Sequence, residues 1–314
     1  MKSPARRFVL ILLAVTALFT CAPVLLNYII DPYDRFGNNR MGIYISAERE
    51  MKATEVERYP HNALLVGNSR MAMIPPAGLK GFRFFNGAFS AASAEDVYWF
   101  LHHHAHTQEL VVLGIDPGAK DPPTLNGDIF HRGDWAAAAE HLVNLQTVEY
   151  SFKTLFSHWA GKPSHYLPDG SMTAPDFGNL AKPGNPALER AHMETLKNST
   201  TGFVLKTPRS LSFYRKIAET LRERKIPCVV VVPPFHEEVV RHIEAMNLQG
   251  EIQAWLDELR TIFPNVVNLA SSPYGAAANF YATDPVHYKP EVGVRFMNEE
   301  VLPVAMKAVR DRGR

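Results

Sequence analysis

Three polar residues, one early and two late in the chain, have the types and spacing needed for nucleophilic catalysis. Ser69 follows a short apolar run directly, and Asp284 and His287 lie three residues apart near the end of the sequence. A serine hydroxyl is a weak nucleophile, so it needs a base to take its proton and a third group to orient that base. We therefore predict Ser69 as nucleophile, His287 as base and Asp284 as the orienting residue of an ester-acting site.

The hydrophobic pattern predicts the elements that would position these residues. Short apolar runs that read as strands alternate with helical periodicity, which is typical of crossover units and a parallel sheet. The predicted strands cover about 62–66, 82–86, 109–115, 228–232 and 266–269. The fold class is therefore α/β: a doubly wound, mostly parallel sheet of about five strands with flanking helices. Active residues collect at the carboxyl ends of such strands, and we expect a loop after the last strand to bring His287 there.

Helical patterns fill most of the remaining sequence. A capping box at Ser93 predicts a helix to about His106, and an amphipathic stripe predicts another over Leu211–Arg224. Further helical stretches cover about 46–58, 236–246, 251–263 and 291–309. A proline-rich insertion at about 117–206 interrupts this order, with one recognisable helix at 135–159. The insertion is either a lid over the substrate or a structural cover on the sheet.

The first 30 residues predict a membrane anchor. Phe8 to Ile30 is a run of 23 residues without charge, preceded by Lys2, Arg6 and Arg7. That length crosses a bilayer as a helix, and the positive-inside rule places residues 31–314 outside the cytoplasm. A cleaved signal peptide or a lipoprotein at Cys21 is the alternative, but the sites around Cys21 are poor matches to both. We favour an uncleaved single-pass transmembrane helix.

Composition excludes one broad class and restricts others. The 314 residues carry a net charge of +1, so a basic nucleic-acid-binding surface is not indicated and no nucleic-acid partner is expected. The two cysteines, Cys21 and Cys228, lie in unrelated apolar runs, so neither a disulfide nor a cysteine metal site is predicted. We divide the chain into a cytoplasmic stub and anchor, 1–30, and one α/β domain, 31–314.

The motifs around the three polar residues resemble the SGNH (GDSL-like) hydrolase superfamily. The match consists of Gly67-Asn68-Ser69-Arg70, the block Asp284-Pro285-Val286-His287, and Phe85–Ala91 as the second block. The chain looks most like the membrane-anchored extracytoplasmic branch with DltD-type and polysaccharide O-acetylation proteins. The resemblance covers about 60–116 and 210–300, so the insertion falls outside it. It implies acetyl-ester chemistry on a polysaccharide or other cell-envelope glycan.

The resemblance also implies which groups stabilise the oxyanion. The backbone N–H groups of Ser69 and Ala91 are the expected donors; Ala91 stands where the family usually has glycine, and Gly87 is a less suitable donor. The third block departs further, because Asp116 occupies the position of an asparagine whose amide usually donates to the oxyanion. An ionised Asp116 would repel a developing oxyanion, which puts the strength of catalysis in doubt.

Other candidate residues have two interpretations each. Arg70 either binds substrate or ties down the nucleophile turn through a carboxylate, and we favour the second. The histidines at 102, 103, 104 and 106 suggest a metal cluster, but an exposed helix end is the better interpretation. The aromatic residues Trp135, Tyr150, Trp159 and Tyr166 could stack on sugar rings, although core packing explains each of them singly.

These observations lead to one principal hypothesis and two alternatives. The first is a membrane-tethered serine esterase or O-acyltransferase in the bacterial inner membrane, with its catalytic domain in the periplasm or outside the cell. Its partners would be a glycan or acyl-ester substrate, the membrane, and a membrane acyl-transfer protein; no metal or organic cofactor is expected. The second is a catalytically weak glycan-binding or assembly partner on the same fold. The third is a lipase.

Overall fold

The computed structural model describes residues 4–45, 48–117, 135–173, 184–204, 208–281 and 284–312. Its centre is a five-stranded, fully parallel sheet. The strands are β1 (Ala63–Val66), β2 (Phe84–Asn86), β3 (Leu110–Gly114), β4 (Cys228–Val232) and β5 (Val266–Asn268), in the spatial order β2-β1-β3-β4-β5. The predicted α/β fold is confirmed, and strands from both sides of the insertion share the sheet.

Helices cover both faces of this sheet. Those before the insertion are α1 (Pro4–Ile30), α2 (Glu48–Glu55), α3 (Ser69–Ala72) and α4 (Ala94–His104). The insertion contributes α5 (Trp135–Val143), α6 (Leu145–Trp159) and α7 (Pro186–Val204). The remaining helices are α8 (Pro208–Glu223), α9 (Glu237–Ala245), α10 (Gln249–Ile262), α11 (Pro290–Phe296) and α12 (Leu302–Arg312). The predicted capping box starts α4, with Ser93 and Asp96 exchanging hydrogen bonds.

The core follows from strands that are apolar on both faces. Leu64 and Val66 of β1 belong to the core layer that contains Phe100 of α4 and Ile217 of α8. The alternate residue Leu65 belongs to the opposite layer, with residues of α11 and α12. Successive side chains of a strand point to opposite faces, so a strand covered by helices on both sides must be apolar throughout. That is why the predicted strands read as continuous apolar runs.

One expectation about the last third of the chain was wrong. Asp284 and His287 do not lie in a loop: they belong to β7 (Asp284–Tyr288), which pairs antiparallel with β6 (Phe280–Tyr281) outside the main sheet. The closing helix predicted at 291–309 is confirmed, and a π-helical turn at Met297–Val301 divides it into α11 and α12. The hairpin has only two short strands, too short for a recognisable alternation of apolar and polar residues.

The insertion holds more helix than its prolines suggested. The stretch at 135–159 is divided between α5 and α6 at Asn144, whose side chain caps α6 by accepting from the Gln146 N–H at 2.8 Å. Helix α7 was not predicted at all. Pro186 stands at its first residue, where a missing N–H removes no helical hydrogen bond, so this proline begins a helix rather than breaking one.

Helix α1 is long and apolar enough to cross a membrane. It spans Pro4–Ile30, somewhat longer than the uncharged run that predicted it. Its side chains are exposed over most of its length, and only its last turns pack against α5 and α6. This finding agrees with the predicted anchor as far as length and composition go.

Candidate active site

The structure brings Ser69, His287 and Asp284 together in one chain of hydrogen bonds. The His287 Nε2 atom lies 2.8 Å from Ser69 Oγ, and its Nδ1 atom lies 2.6 Å from Asp284 Oδ2. Ser69 begins α3 directly after β1, at the carboxyl edge of the sheet, and β7 delivers the other two residues to it. Ser69 and His287, 218 positions apart in sequence, are therefore brought together by the fold. Hydroxyl, imidazole and carboxylate stand in the order that proton transfer from the serine requires.

The ionisation of the Asp284 carboxyl decides which nitrogen of the His287 ring carries a proton. Burial raises the pKa of Asp284, but the hydrogen bond and charge of His287, with the backbone N–H groups of Val286 and His287, outweigh it and hold the pKa below its usual value. An ionised carboxylate only accepts hydrogen bonds, so Nδ1 of His287 carries a proton toward it. In the neutral imidazole, Nε2 is then free to accept the Ser69 proton.

The turn before Ser69 requires glycine at position 67. Gly67 has φ of +143°, and a Cβ there would lie 2.8 Å from the Gly114 carbonyl oxygen of β3. The next residue, Asn68, caps α3 through its side-chain oxygen, which accepts from the Arg70 N–H at 3.1 Å. The chain therefore turns sharply from strand to helix and leaves the Ser69 side chain at the sheet edge.

Asp116 holds this turn through both of its carboxylate oxygens. One of its oxygens pairs with the Arg70 guanidinium, and the other accepts from Asn68 Nδ2 at 2.5 Å. Arg70 is 6% exposed and also donates to the Pro234 carbonyl. The interpretation of Arg70 as a tie through a carboxylate is confirmed. The Asp116 carboxylate, which the sequence led us to expect beside the oxyanion, is paired with the buried Arg70 guanidinium.

Two further buried side chains hold α3 from behind, and sequence reasoning assigned a role to neither. Asn86, fully buried at the end of β2, donates to the carbonyls of Met71 and Ile74, both at 2.9 Å. The hydroxyl of Tyr288 donates to the Arg70 carbonyl at 2.6 Å. Burial raises the pKa of Tyr288, so it remains a donor. The sequence signal that could have drawn attention to Tyr288 is its position directly after His287.

Hydrogen bonds occupy most of the backbone N–H groups in the loop after β2. From residue 87 to residue 90 every N–H is occupied: Gly87 donates to Leu65 O, Ala88 to Asn86 Oδ1, Phe89 to Gly67 O and Ser90 to Glu48 Oε2. Within the described part of the chain, the N–H groups of Ala91 and Ser69 have no acceptor. Gly87 is thus unsuitable as a donor, as expected. Ala91 has φ of +50°, a conformation that favours glycine.

Charged residues of α2 hold the same loop, which the sequence did not reveal. Lys52 is 0% exposed; its ammonium donates to the Ala88 carbonyl and to Glu48 Oε1, the latter at 3.0 Å. The other oxygen of Glu48 accepts from the Ser90 N–H at 2.8 Å. Burial lowers the pKa of Lys52, and the adjacent Glu48 opposes that shift. This ion pair therefore holds the loop that ends at Ala91 at two positions, the Ala88 carbonyl and the Ser90 N–H.

A cleft opens beside Ser69. It encloses about 680 Å³, including its mouth, and its lining includes Asp116, Pro285 and the turn that carries Ser69. Leu196 and Thr200 of α7 and Val239 of α9 also line it. The insertion therefore contributes a wall of the cleft. The lining of the cleft is mostly apolar, which suits an acyl group.

The remaining candidates do not join this site. His104 is buried and its Nδ1 lies 2.6 Å from Glu57, so the expectation of an exposed histidine cluster was wrong for this residue; it packs inward at the last turn of α4. In the described ranges no group of histidine, cysteine and acidic residues could hold a metal ion. Tyr166 is 9% exposed, as a core residue, whereas Trp159 is 69% exposed and core packing was wrong for it. The side chain of Trp135 lies outside the described residues.

Comparison with protein-family models and with curated proteins finds no relative of the chain. No protein-family model matches it, and no curated protein matches it significantly.

Proposed function

We propose that the protein is a membrane-tethered serine hydrolase or acyltransferase of the SGNH type, acting on esters outside the cytoplasm. The observation that carries the proposal is the hydrogen-bond chain from Ser69 Oγ through His287 to Asp284, with 2.8 Å and 2.6 Å between the bonded atoms. It is supported by unoccupied N–H groups at Ser69 and Ala91 among the described residues and by the cleft beside them.

The reaction follows from these groups. Ser69 Oγ attacks the ester carbonyl carbon while its proton passes to His287 Nε2, and the oxyanion accepts from the Ser69 and Ala91 N–H groups. The alcohol leaves with the proton from His287, so an acyl-serine remains. Water or a sugar hydroxyl then attacks the acyl-serine with His287 as base again. Water makes the protein an esterase; a sugar hydroxyl makes it an O-acyltransferase.

The substrate class rests on the resemblance. We propose an acetyl ester and a cell-envelope or secreted polysaccharide, with α1 as the anchor in the bacterial inner membrane and a membrane acyl-transfer protein as donor partner. The apolar wall of α7 and α9 would receive the acyl group. Because this wall is apolar, a lipase is the competing assignment; a chain-length series would favour the lipase if octanoate esters reacted faster than acetate esters.

The test uses the full chain in detergent, since Asn27 of α1 is bonded to α5 and α6 and truncation would open that contact. Wild type should hydrolyse p-nitrophenyl acetate and react with a fluorophosphonate. Ser69→Ala should lower kcat/KM by at least about a thousandfold and abolish labelling. Ser271→Ala, at an exposed serine outside the cleft, is the matched control and should behave as wild type.

One observation favours a second candidate function. In the part of the loop after β3 that the structure describes, residues 115–117, no side-chain amide is available to the oxyanion, because Asp116 stands there; the nearby Asn68 amide donates to Asp116. A chain limited to two backbone donors could be a glycan-binding or assembly protein. Absence of both hydrolysis and fluorophosphonate labelling in the folded wild type would favour that function.

A further inference from the structure

Helix α6 buries its small polar residues and exposes its large apolar ones, the reverse of the usual arrangement. Its buried face consists of Thr147, Ser151 and Thr154, spaced like consecutive turns of one helix face. Phe152 and Phe156, which stack on each other, are 45% and 59% exposed. Trp159, one turn further along, is 69% exposed. A helix on the surface of a water-soluble domain turns its large apolar residues inward, so water is not the expected surrounding of this face.

The small, hydroxyl-bearing face of α6 packs against the end of α1. Ser151 Oγ donates to Asn27 Oδ1 at 2.9 Å, and Asn27 Nδ2 donates to the Leu142 carbonyl of α5, also at 2.9 Å. Asn27 itself is 1% exposed. Close packing through small residues, with hydrogen bonds between side chains across helices, is how helices associate in a bilayer.

The exposed apolar surface does not stop at the end of α1. Leu25 and Ile29, in the last two turns of α1, are 58% and 57% exposed. At the α5–α6 junction Val143 and Leu145 are 65% and 81% exposed, and both helices contact α1. The surface that α1 would present to lipid therefore continues onto α6.

The dimensions of α6 suit the membrane interface rather than the membrane core. With 15 residues it is about 22 Å long, shorter than the roughly 30 Å of hydrocarbon that a spanning helix must cross. Its charged residues Glu149 and Lys153 pair with each other at 2.6 Å. A tryptophan at its end is typical of the layer between headgroups and acyl chains.

We propose that α6 lies in the outer interface of the bilayer, with Phe152, Phe156 and Trp159 inserted among the lipids. The domain would then be docked on the membrane at two places, α1 and α6, instead of hanging from α1 alone. This inference rests on the proposed anchoring by α1. The partner is a lipid surface, because the face is continuous with the anchor and has the inverted polarity of a membrane helix.

The test places the full chain in phosphatidylcholine liposomes with and without lipids brominated near the headgroup. The bromine quenches tryptophans in the interface, and the chain has four tryptophans. We expect quenching in wild type and a clear fall in the quenched fraction in Trp159→Phe. Trp255→Phe, at a tryptophan that is 8% exposed, removes an unquenched fluorophore, so the quenched fraction should not fall.

Flotation of the same liposomes after an alkaline wash separates this inference from the anchoring. Wild type and Trp159→Phe should both float. If both float and Trp159→Phe is quenched as strongly as wild type, the interfacial position of α6 is wrong while the anchor stands. That result is also expected if a protein partner, absent from the liposomes, covers α6. If wild type does not float, the anchoring fails and this inference fails with it.

Discussion

Helices α2 and α6 carry the same local pattern and place it in opposite surroundings. Each has a glutamate four residues before a lysine, Glu48 with Lys52 and Glu149 with Lys153, and each pair is closed, at 3.0 Å and 2.6 Å. The Lys52 side chain is 0% exposed, whereas that of Lys153 is 53% exposed. One pair holds the loop that ends at Ala91, the proposed oxyanion donor, and the other is exposed on a helix with its aromatic residues outward.

The difference between these two ion pairs shows under which condition a charged pair can be buried. Removing an ion pair from water costs several kcal/mol unless the remaining hydrogen-bonding capacity of both groups is also satisfied. In α2 this condition is met, because Lys52 reaches the Ala88 carbonyl and Glu48 reaches the Ser90 N–H. In α6 no such requirement exists, since both side chains keep their contact with water.

The largest expected effect comes from Lys52→Met. The change leaves Glu48 as a buried charge without its cation and Ala88 O without a donor, so the free energy of unfolding should fall by about 3–5 kcal/mol. Hydrolysis of p-nitrophenyl acetate should fall with it, because the loop ending at Ala91 loses its support. Urea denaturation and kcat measured on the folded fraction check the two effects separately.

Lys153→Met is the matched control for that variant. It breaks an identical pair on the exposed face of α6, where ion pairs contribute little, so neither stability nor kcat should change measurably. Equal losses in the two variants would contradict the distinction between the two helices. Unchanged kcat in folded Lys52→Met would show that the loop does not depend on the buried pair.

A smaller loss is expected from Asp116→Asn, although the resemblance implies the opposite. An amide has one acceptor oxygen and no charge, so it cannot serve both Arg70 and Asn68. We expect the free energy of unfolding to fall by about 1–3 kcal/mol and kcat/KM to fall by roughly tenfold, as the turn carrying Ser69 loosens. Both are measured by the methods used for Lys52→Met.

Asp257→Asn is the corresponding surface control. Asp257 is paired with Arg260 at 2.8 Å and its side chain is 60% exposed, so its replacement should be nearly neutral. A rise in kcat/KM in Asp116→Asn would mean that the new amide reaches the oxyanion. It would also mean that the pair with Arg70 is dispensable.

The smallest effect concerns Asp284, whose side chain is 16% exposed and so lies between the two extremes. Its native pKa is below the usual value of 3.8, so near that pH the unfolded chain binds more protons than the native one. Its contribution to stability is therefore present above about pH 4 and disappears as the pH falls through the native pKa. The stability difference between wild type and Asp284→Asn should be constant above about pH 5 and shrink below pH 4.

Denaturation at a series of pH values measures that difference, with Asp257→Asn as the reference for an exposed carboxyl. A gap that widened on acidification would mean that the native carboxyl holds its proton more tightly than the unfolded one. The hydrogen bonds from His287 and the two backbone N–H groups would then not stabilise the ionised form.

Much of the fold followed from local sequence patterns. The five apolar runs became the five strands, and the capping box at Ser93 started α4 where expected. Helix α7 and the β6–β7 hairpin were missed for physical reasons. Pro186 belongs to a part of the proline-rich insertion where no helix was predicted, but it occupies a first helical turn. The two strands of the hairpin are too short for a readable period.

The sequence predicted the three residues of the candidate site, but not the buried residues that hold the surrounding backbone in place. Ser69, Asp284 and His287 have residue types and an order that indicate their chemistry before any coordinates. Asn86 and Lys52 have common residue types in unremarkable sequence, and only their burial against α3 and the loop after β2 gives them a role.

The sequence by itself determined the parallel sheet, the apolar first helix and the three residues of the proposed triad, because periodicity, length and residue chemistry are local properties. Only the tertiary structure decided that Asp116 pairs with Arg70, that Lys52 is buried and Lys153 is not, and that α6 turns its aromatic residues outward. Those outcomes depend on what lies opposite each side chain across the fold. Neighbours that are distant in sequence set the balance between desolvation and pairing.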